Sequence, residues 1–158
     1  MFKVEGVLPA LITPFGEDGK VDAEGIQRLV EFVEKGGVNG IVPSGTTGES
    51  ATLSLKEHIE VIDLVVDAAK TPVVAGTGSN CPGEALNLTS HAKDSGADAA
   101  LLVVPYYNKP NTKGLIKHYT TLADRVDLPQ IIYNIASRTG INMSVDALVE
   151  LAEHQNIV

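Results

Sequence analysis

Hydrophobic residues follow two patterns along the chain, which predict a strand followed by a helix five times over. The first pattern is a short apolar run without alternation, typical of strands that are buried on both faces of a parallel sheet. The second places apolar residues three and four positions apart, as at Ile26, Leu29, Val30 and Val33, which indicates one buried face of a helix. The predicted strands lie near residues 7–12, 39–43, 73–76, 100–104 and 130–133.

Capping residues set the expected limits of the helices. Asp22 is predicted to cap the first helix, and Ser54 with Glu57 forms a capping box for a second helix over about 54–70. Pro82 suits the first turn of a third helix that closes at Gly96. A fourth helix is expected over about 112–125, a loop over 134–140, and a fifth helix capped by Ser144.

Two architectures fit this repeated strand and helix order. One is a five-stranded doubly wound domain, whose usual size matches 158 residues, and the other is the first part of an eight-unit (β/α)8 barrel. Residues 156–158, Asn-Ile-Val, resemble the opening of a sixth strand, whereas a finished doubly wound domain would more naturally end on a helix. The sequence therefore favours a TIM-barrel α/β fold, with residues 1–158 as five βα units and the start of strand six.

Charge and cysteine content narrow the classes of partner. The chain has 12 Lys and Arg against 20 Asp and Glu, a net charge of −8, which argues against nucleic acid and anionic membranes as partners. Cys81 is the single cysteine, and no Cys and His cluster has the spacing of a metal site. With no signal-like or membrane-spanning apolar run, we expect a cytoplasmic protein without a metal.

Hydroxyl groups gather where the predicted strands end. Because the carboxyl ends of parallel strands meet at one edge of a sheet, these side chains are expected to lie together there. Chains of hydroxyls can pass protons, which suits chemistry at a carbonyl, and a guanidinium can hold a carboxylate with two hydrogen bonds. A metal-free carbonyl enzyme would also need an imine-forming lysine, and no lysine stands at a predicted strand end. The four histidines are all predicted on helices, in structural or solvated roles. The strand-end residues are Thr13, Thr46, Thr47, Ser79, Asn80, Tyr106, Tyr107, Tyr133, Asn134 and Arg138.

Three motifs in order resemble the dihydrodipicolinate synthase family over essentially the whole chain. They are Gly-Thr-Thr-Gly-Glu-Ser at 45–50, Pro-Tyr-Tyr-Asn-Lys-Pro at 105–110, and Tyr-Asn at 133–134 followed by Ser-Arg-Thr-Gly at 137–140. The resemblance implies a cytoplasmic TIM-barrel lyase, usually a homotetramer, of the diaminopimelate route of lysine biosynthesis. Such an enzyme joins pyruvate, held as a lysine Schiff base, to L-aspartate 4-semialdehyde and needs no cofactor.

The resemblance also assigns roles to residues of this sequence. It implies a proton relay of Thr46, Tyr107 and Tyr133, with Tyr107 reaching the site of a neighbouring subunit. Thr47 would bind the pyruvate carboxylate, and Arg138 would hold the site entrance and the semialdehyde carboxylate. A lysine feedback site would be formed by Ser50, Ala51, His58, Asn80, Glu84 and Tyr106.

One departure from the family pattern bears on activity. The imine-forming lysine of the family lies in the sixth strand, a few residues past the position that matches Val158. We therefore expect the chain to be a truncated first half that is inactive alone. Two alternatives stay open: an enzyme similar to N-acetylneuraminate lyase or another pyruvate aldolase, which shares the glycine-threonine loop and paired tyrosines, and a non-catalytic partial barrel.

Overall fold

A parallel sheet forms the centre of the structure, a computed structural model that describes residues 3–158. Its strands are β1 (Val74–Gly76), β2 (Ala99–Val103) and β3 (Gln130–Tyr133), which lie side by side in chain order. Each is an apolar run with few exposed residues, as expected for strands covered on both faces. The three corresponding sequence predictions are confirmed to within one residue at each end. Residues 1 and 2, part of the predicted domain, lie outside the described residues.

Single parallel bridges extend this sheet on both sides. Ala10 pairs with Val42, Ile41 pairs with Val73, and Gln130 pairs with Ile157. The segments therefore follow one another in chain order from residue 10 to residue 157. This order contradicts the 2-1-3-4-5 arrangement of one doubly wound fold.

The first two predicted strands are less regular than the sequence pattern indicated. The segments 7–12 and 39–43 contain bridges but no continuous strand. Pro9 and Pro43 provide the reason, because proline has no N–H to donate to a neighbouring strand. Their carbonyls still accept hydrogen bonds of 2.9 Å from the amides of Val42 and Gly76.

Helices follow the strands, and their predicted caps are present. Asp22 accepts a hydrogen bond from the Gly25 amide, and Ser54 and Glu57 form a reciprocal capping box. Gly96, in the left-handed conformation, ends the third helix. The helices are α1 (Ala23–Lys35), α2 (Leu55–Ala68), α3 (Pro82–Ser95), α4 (Thr112–Arg125), α5 (Ala136–Thr139) and α6 (Val145–Leu151).

Two local predictions were wrong. The segment 134–140 was expected to be a loop, but it contains the one-turn helix α5, which ends at left-handed Gly140. A single turn is too short to give a periodic apolar signal. His154 was expected on a helix, but α6 ends at Leu151, because the polar residues after it offer no apolar face to bury.

The core packs the helices against the sheet. Buried residues of α4 and α6, such as Leu122 and Leu151, form one large cluster with Leu102 of β2, and residues of α1 and α2 form another. His118 of α4 is buried in this packing, neither ring nitrogen has a partner among the described residues, and burial lowers the pKa of the imidazole. The helices thus fix the sheet, and the loops at its carboxyl edge form the candidate site.

Candidate active site

The loop 44–50 follows the bridge at Val42 and is held in a compact turn. Its amides bond within the loop, with Gly48 N to Gly45 O at 3.0 Å and Glu49 N to Thr46 O at 3.1 Å. From a neighbouring segment, the buried Thr13 hydroxyl donates to Gly48 O at 2.7 Å. The loop therefore presents Thr46 in a fixed backbone frame at the carboxyl edge of the sheet.

Thr46, Thr47 and Tyr133 line one cavity of about 330 Å³. These are three of the five catalytic and substrate-binding residues predicted from the sequence. The rest of the lining is apolar, while Thr46 and Thr47 themselves are exposed. The remaining lining residues are Val4, Leu8, Ala10, Val42, Gly45, Val74, Leu101 and Ile131.

A second, much smaller cavity lies against the same residues. It measures about 20 Å³ and is lined by four residues with hydroxyls, by three glycines and by two residues of β2, namely Ser44, Thr46, Ser50, Tyr133, Gly45, Gly76, Gly78, Leu101 and Val103. Thr46 and Tyr133 thus line both cavities. No lysine lines either cavity in the part of the chain that the structure describes.

Tyr107 is separate from this pair. It follows β2 on the loop 105–110, with its side chain 89% exposed and its backbone at φ +69°, a left-handed conformation that is rare for a bulky residue. It lines neither cavity. Within one chain, the structure therefore brings together two of the three predicted relay residues.

Arg138 stands on α5 with its side chain exposed. Among residues 3–158 it makes no ion pair within 4.0 Å. The preceding loop is held by Asn134, whose amide donates to Asn142 at 2.8 Å. The guanidinium is therefore unpaired and available to an anionic ligand.

Of the predicted feedback residues, Ser50 lines the small cavity and His58 contacts Gly76, which also lines it. His58 is buried, and its Nε2 lies 2.7 Å from Gly76 O, so the contact requires the Nε2–H tautomer to donate. Burial lowers the pKa of His58, while the Gly76 hydrogen bond and the nearby charge of Glu84 oppose that change. Asn80 accepts at its carbonyl from Asn108 at 3.2 Å, which ties its loop to the one that carries Tyr106. Ser50 is half-buried and Ala51 is exposed.

Ser44 is a site residue that the sequence analysis missed. It is 2% exposed, its Oγ has no partner among the described residues, and its φ is +52°. Nothing in the residues Pro43-Ser44-Gly45 signals a left-handed serine, because most left-handed positions are occupied by glycine or asparagine.

Metal and membrane signals are absent from the described part of the chain. Residues 3–158 contain no group of three or more His, Cys, Asp and Glu side chains that could hold a metal ion. None of the described helices has the length and apolar character needed to cross a membrane.

Comparison with known proteins gives consistent matches over the described residues. The model of the dihydrodipicolinate synthetase family matches residues 3–158. A 4-hydroxy-tetrahydrodipicolinate synthase of Methanosarcina mazei is 61% identical over 154 residues, which is 98% of this chain and 53% of that protein. The chain therefore spans about half the length of the curated relatives it matches.

Solved structures give the same result. The crystal structure of dihydrodipicolinate synthase from Aquifex aeolicus matches with a TM-score of 0.92 and 51% identity, over 95% of this chain and 52% of that one. The chloride-inhibited dihydrodipicolinate synthase from Acinetobacter baumannii, complexed with pyruvate, matches with a TM-score of 0.96 and 49% identity, over 99% and 54% of the two chains.

Proposed function

The chain belongs to the dihydrodipicolinate synthetase family, and on that premise we propose that it carries the first part of a 4-hydroxy-tetrahydrodipicolinate synthase active site. The reaction is the condensation of pyruvate, held as a lysine imine, with L-aspartate 4-semialdehyde. The observation that carries the proposal is that Thr46, Thr47 and Tyr133, which stand at the carboxyl ends of parallel segments, line one cavity. The five βα units and the opening of a sixth strand would then be the first part of an eight-unit barrel.

The hydroxyls act as a proton relay in this proposal. When an imine forms, the carbonyl oxygen gains protons and leaves as water, while the amine nitrogen loses protons. Hydrolysis of the imine reverses these transfers, and positioned hydroxyls can carry the protons in both directions. Thr46 and Tyr133 line the same cavity, where they would exchange protons with a bound intermediate. Thr47, in that cavity, would hold the pyruvate carboxylate.

Tyr107 completes the relay from another subunit. Its ring is 89% exposed, although a large amphipathic ring is more stable when it is covered, and it projects from a loop held in a left-handed turn. A two-fold partner that receives this ring would cover it. We expect the assembled protein to sediment as a dimer or tetramer, and a monomer with Tyr107 in solvent would contradict this part of the proposal.

Arg138 would bind the second substrate. Its side chain is exposed and unpaired among the described residues, close to the loop that follows Tyr133. A guanidinium forms two parallel hydrogen bonds with a carboxylate, which would orient the semialdehyde at the entrance.

The decisive experiment traps the imine. A lysine amine and the pyruvate carbonyl form an imine with loss of water, and borohydride reduces the C=N bond to a stable amine that intact-mass measurement detects. We expect no stoichiometric adduct with this chain alone, because no lysine lines the cavity in residues 3–158. The matched sample, called the extended protein here, continues past Val158 with the C-terminal part of the Methanosarcina mazei relative.

The extended protein should give one adduct at a single lysine and, in a separate sample without borohydride, should turn over pyruvate and L-aspartate 4-semialdehyde. An adduct at a single lysine of this chain alone would overturn the assignment of the lysine to a later strand. If the extended protein gives the adduct but, without borohydride, joins pyruvate to other aldehydes such as N-acetylmannosamine and not to the semialdehyde, the lyase-like alternative is favoured. No adduct in either sample would favour a non-catalytic partial barrel.

A lysine feedback site is the second part of the proposal. Glu84 offers a carboxylate for an ammonium ligand, and its charge already acts on His58 in this structure. In calorimetric titration of the extended protein, we expect lysine to give binding heat that Glu84→Ala removes. Equal heats for both proteins would contradict a site at these residues.

A further inference from the structure

Ser44 adopts a backbone conformation that its side chain disfavours. Its φ of +52° lies in the left-handed region, which is rare for residues that carry a Cβ. The backbone around it is closely packed, because a Cβ added at Gly76 would lie 2.2 Å from Ser44 O. Strained residues of this kind concentrate at functional sites, where the surrounding structure holds them in place.

The Ser44 hydroxyl carries a second unfavourable feature. The residue is 2% exposed, and its Oγ has no hydrogen-bond partner among residues 3–158. Buried polar atoms in native proteins nearly always have a partner, so an orphaned hydroxyl calls for an explanation. A serine used only to make the turn would gain nothing from this hydroxyl.

The small cavity offers the missing partner. Ser44, Thr46 and Tyr133 all line it, and its volume of about 20 Å³ is enough for one ordered water molecule. We propose that Ser44 is a positioning residue that holds one water molecule against the hydroxyls of Thr46 and Tyr133. This inference rests on the proposed function, since it adds a fixed water to the relay of that same site.

The physical role of such a water is to orient the two relay hydroxyls. A water molecule accepts and donates hydrogen bonds at the same time, so it can receive a proton from one hydroxyl while it gives one to the other. Because it gains one proton and gives one away, the water is neutral both before and after the transfer. Loss of the Ser44 hydroxyl would free this water and slow proton transfer without changing the residues that bind pyruvate.

Two substitutions separate the hydroxyl from the backbone. Ser44→Ala removes the hydroxyl and keeps the left-handed strain, whereas Ser44→Gly removes both. We expect Ser44→Ala to leave the Tm of this chain nearly unchanged and Ser44→Gly to raise it by a few degrees. In the extended protein, both should lower kcat by a similar factor, on the order of tenfold, with the KM for pyruvate and the borohydride adduct unchanged.

The water itself is tested on this chain directly. A high-resolution crystal structure should show one water within hydrogen-bond distance of Ser44 Oγ and of Thr46 or Tyr133, and the Ser44→Ala structure should lack it. Absence of that water in the unsubstituted chain would overturn the inference, and so would unchanged kcat in both variants. If the extended protein has no synthase activity, the proposed function fails, and the crystal structures still decide the role of Ser44.

Discussion

Gly76→Ala is expected to destabilise the chain severely. An alanine Cβ at this position would lie 2.2 Å from Ser44 O, 2.6 Å from Ser44 C and 3.0 Å from Gly45 N, which are backbone atoms without side-chain freedom. Gly76 also ends β1, donates its N–H to Pro43 O and accepts from His58 Nε2, so it cannot move without breaking these hydrogen bonds. We expect a loss of about 3 kcal/mol or more in the free energy of unfolding. For a chain of this size, that corresponds to a fall in Tm of about 6–12 °C.

Gly83→Ala is the matched control for this substitution. It makes the same chemical change in the first turn of α3, where an added Cβ would meet nothing within 4 Å. It should leave the chain equally stable or slightly more stable, because alanine favours the helix more than glycine does. Thermal unfolding of the three proteins, followed by circular dichroism, measures the difference. Similar Tm values for both variants would show that the loop around Ser44 can yield, contrary to the close packing described above.

Local signals in the sequence predicted most of the secondary structure. Asp22, Ser54 and Ser144 begin helices because their side-chain oxygens accept from amides that a first helical turn leaves free. Gly96 ends a helix because glycine tolerates the left-handed conformation there. Such signals involve residues close together in the chain, so they are present in the sequence itself.

Contacts between distant residues were predicted less completely. The apolar runs at 7–12 and 39–43 have strand character, but Pro9 and Pro43 reduce their pairing to single bridges. The prediction placed Thr46 and Tyr133 at one edge, since both follow strands of a parallel sheet, and they do share a cavity. The strand pattern alone does not predict the exposure of Tyr107, which depends on how a loop leaves the sheet, and only the family resemblance implied that this residue projects towards another subunit.

The backbone conformation of the candidate site was the feature that the sequence predicted least well. Ser44, Glu49, Tyr107 and Lys109 all have positive φ, and none is a residue type for which that conformation is expected. All four lie in the two motif loops, 44–50 and 105–110. Propensity reflects what a residue prefers in isolation, so it fails where surrounding contacts impose a strained conformation.

Tyr133→Phe should nearly abolish turnover in the extended protein while leaving the fold intact. The change removes only the hydroxyl from a ring that lines both cavities, so the cavity walls stay in place. Loss of a proton-transferring group typically lowers kcat by about 10²–10⁴-fold, and we expect a fall of about 10²–10³-fold here. Borohydride should still trap the pyruvate adduct after long incubation, because the imine lysine is untouched.

Tyr119→Phe is the matched control for the loss of a tyrosine hydroxyl. Tyr119, on α4, is buried in the protein core, where its hydroxyl lies 3.4 Å from Leu102 O, and it lines neither cavity. Removing the Tyr119 hydroxyl should leave kcat unchanged.

A double substitution tests whether Thr46 and Tyr133 act in one relay. If they do, Thr46→Val combined with Tyr133→Phe should lower kcat little further than either change alone, because each single change already interrupts the relay. Additive losses in log kcat would indicate that the two hydroxyls act independently, and full activity of Tyr133→Phe would remove this residue from the mechanism.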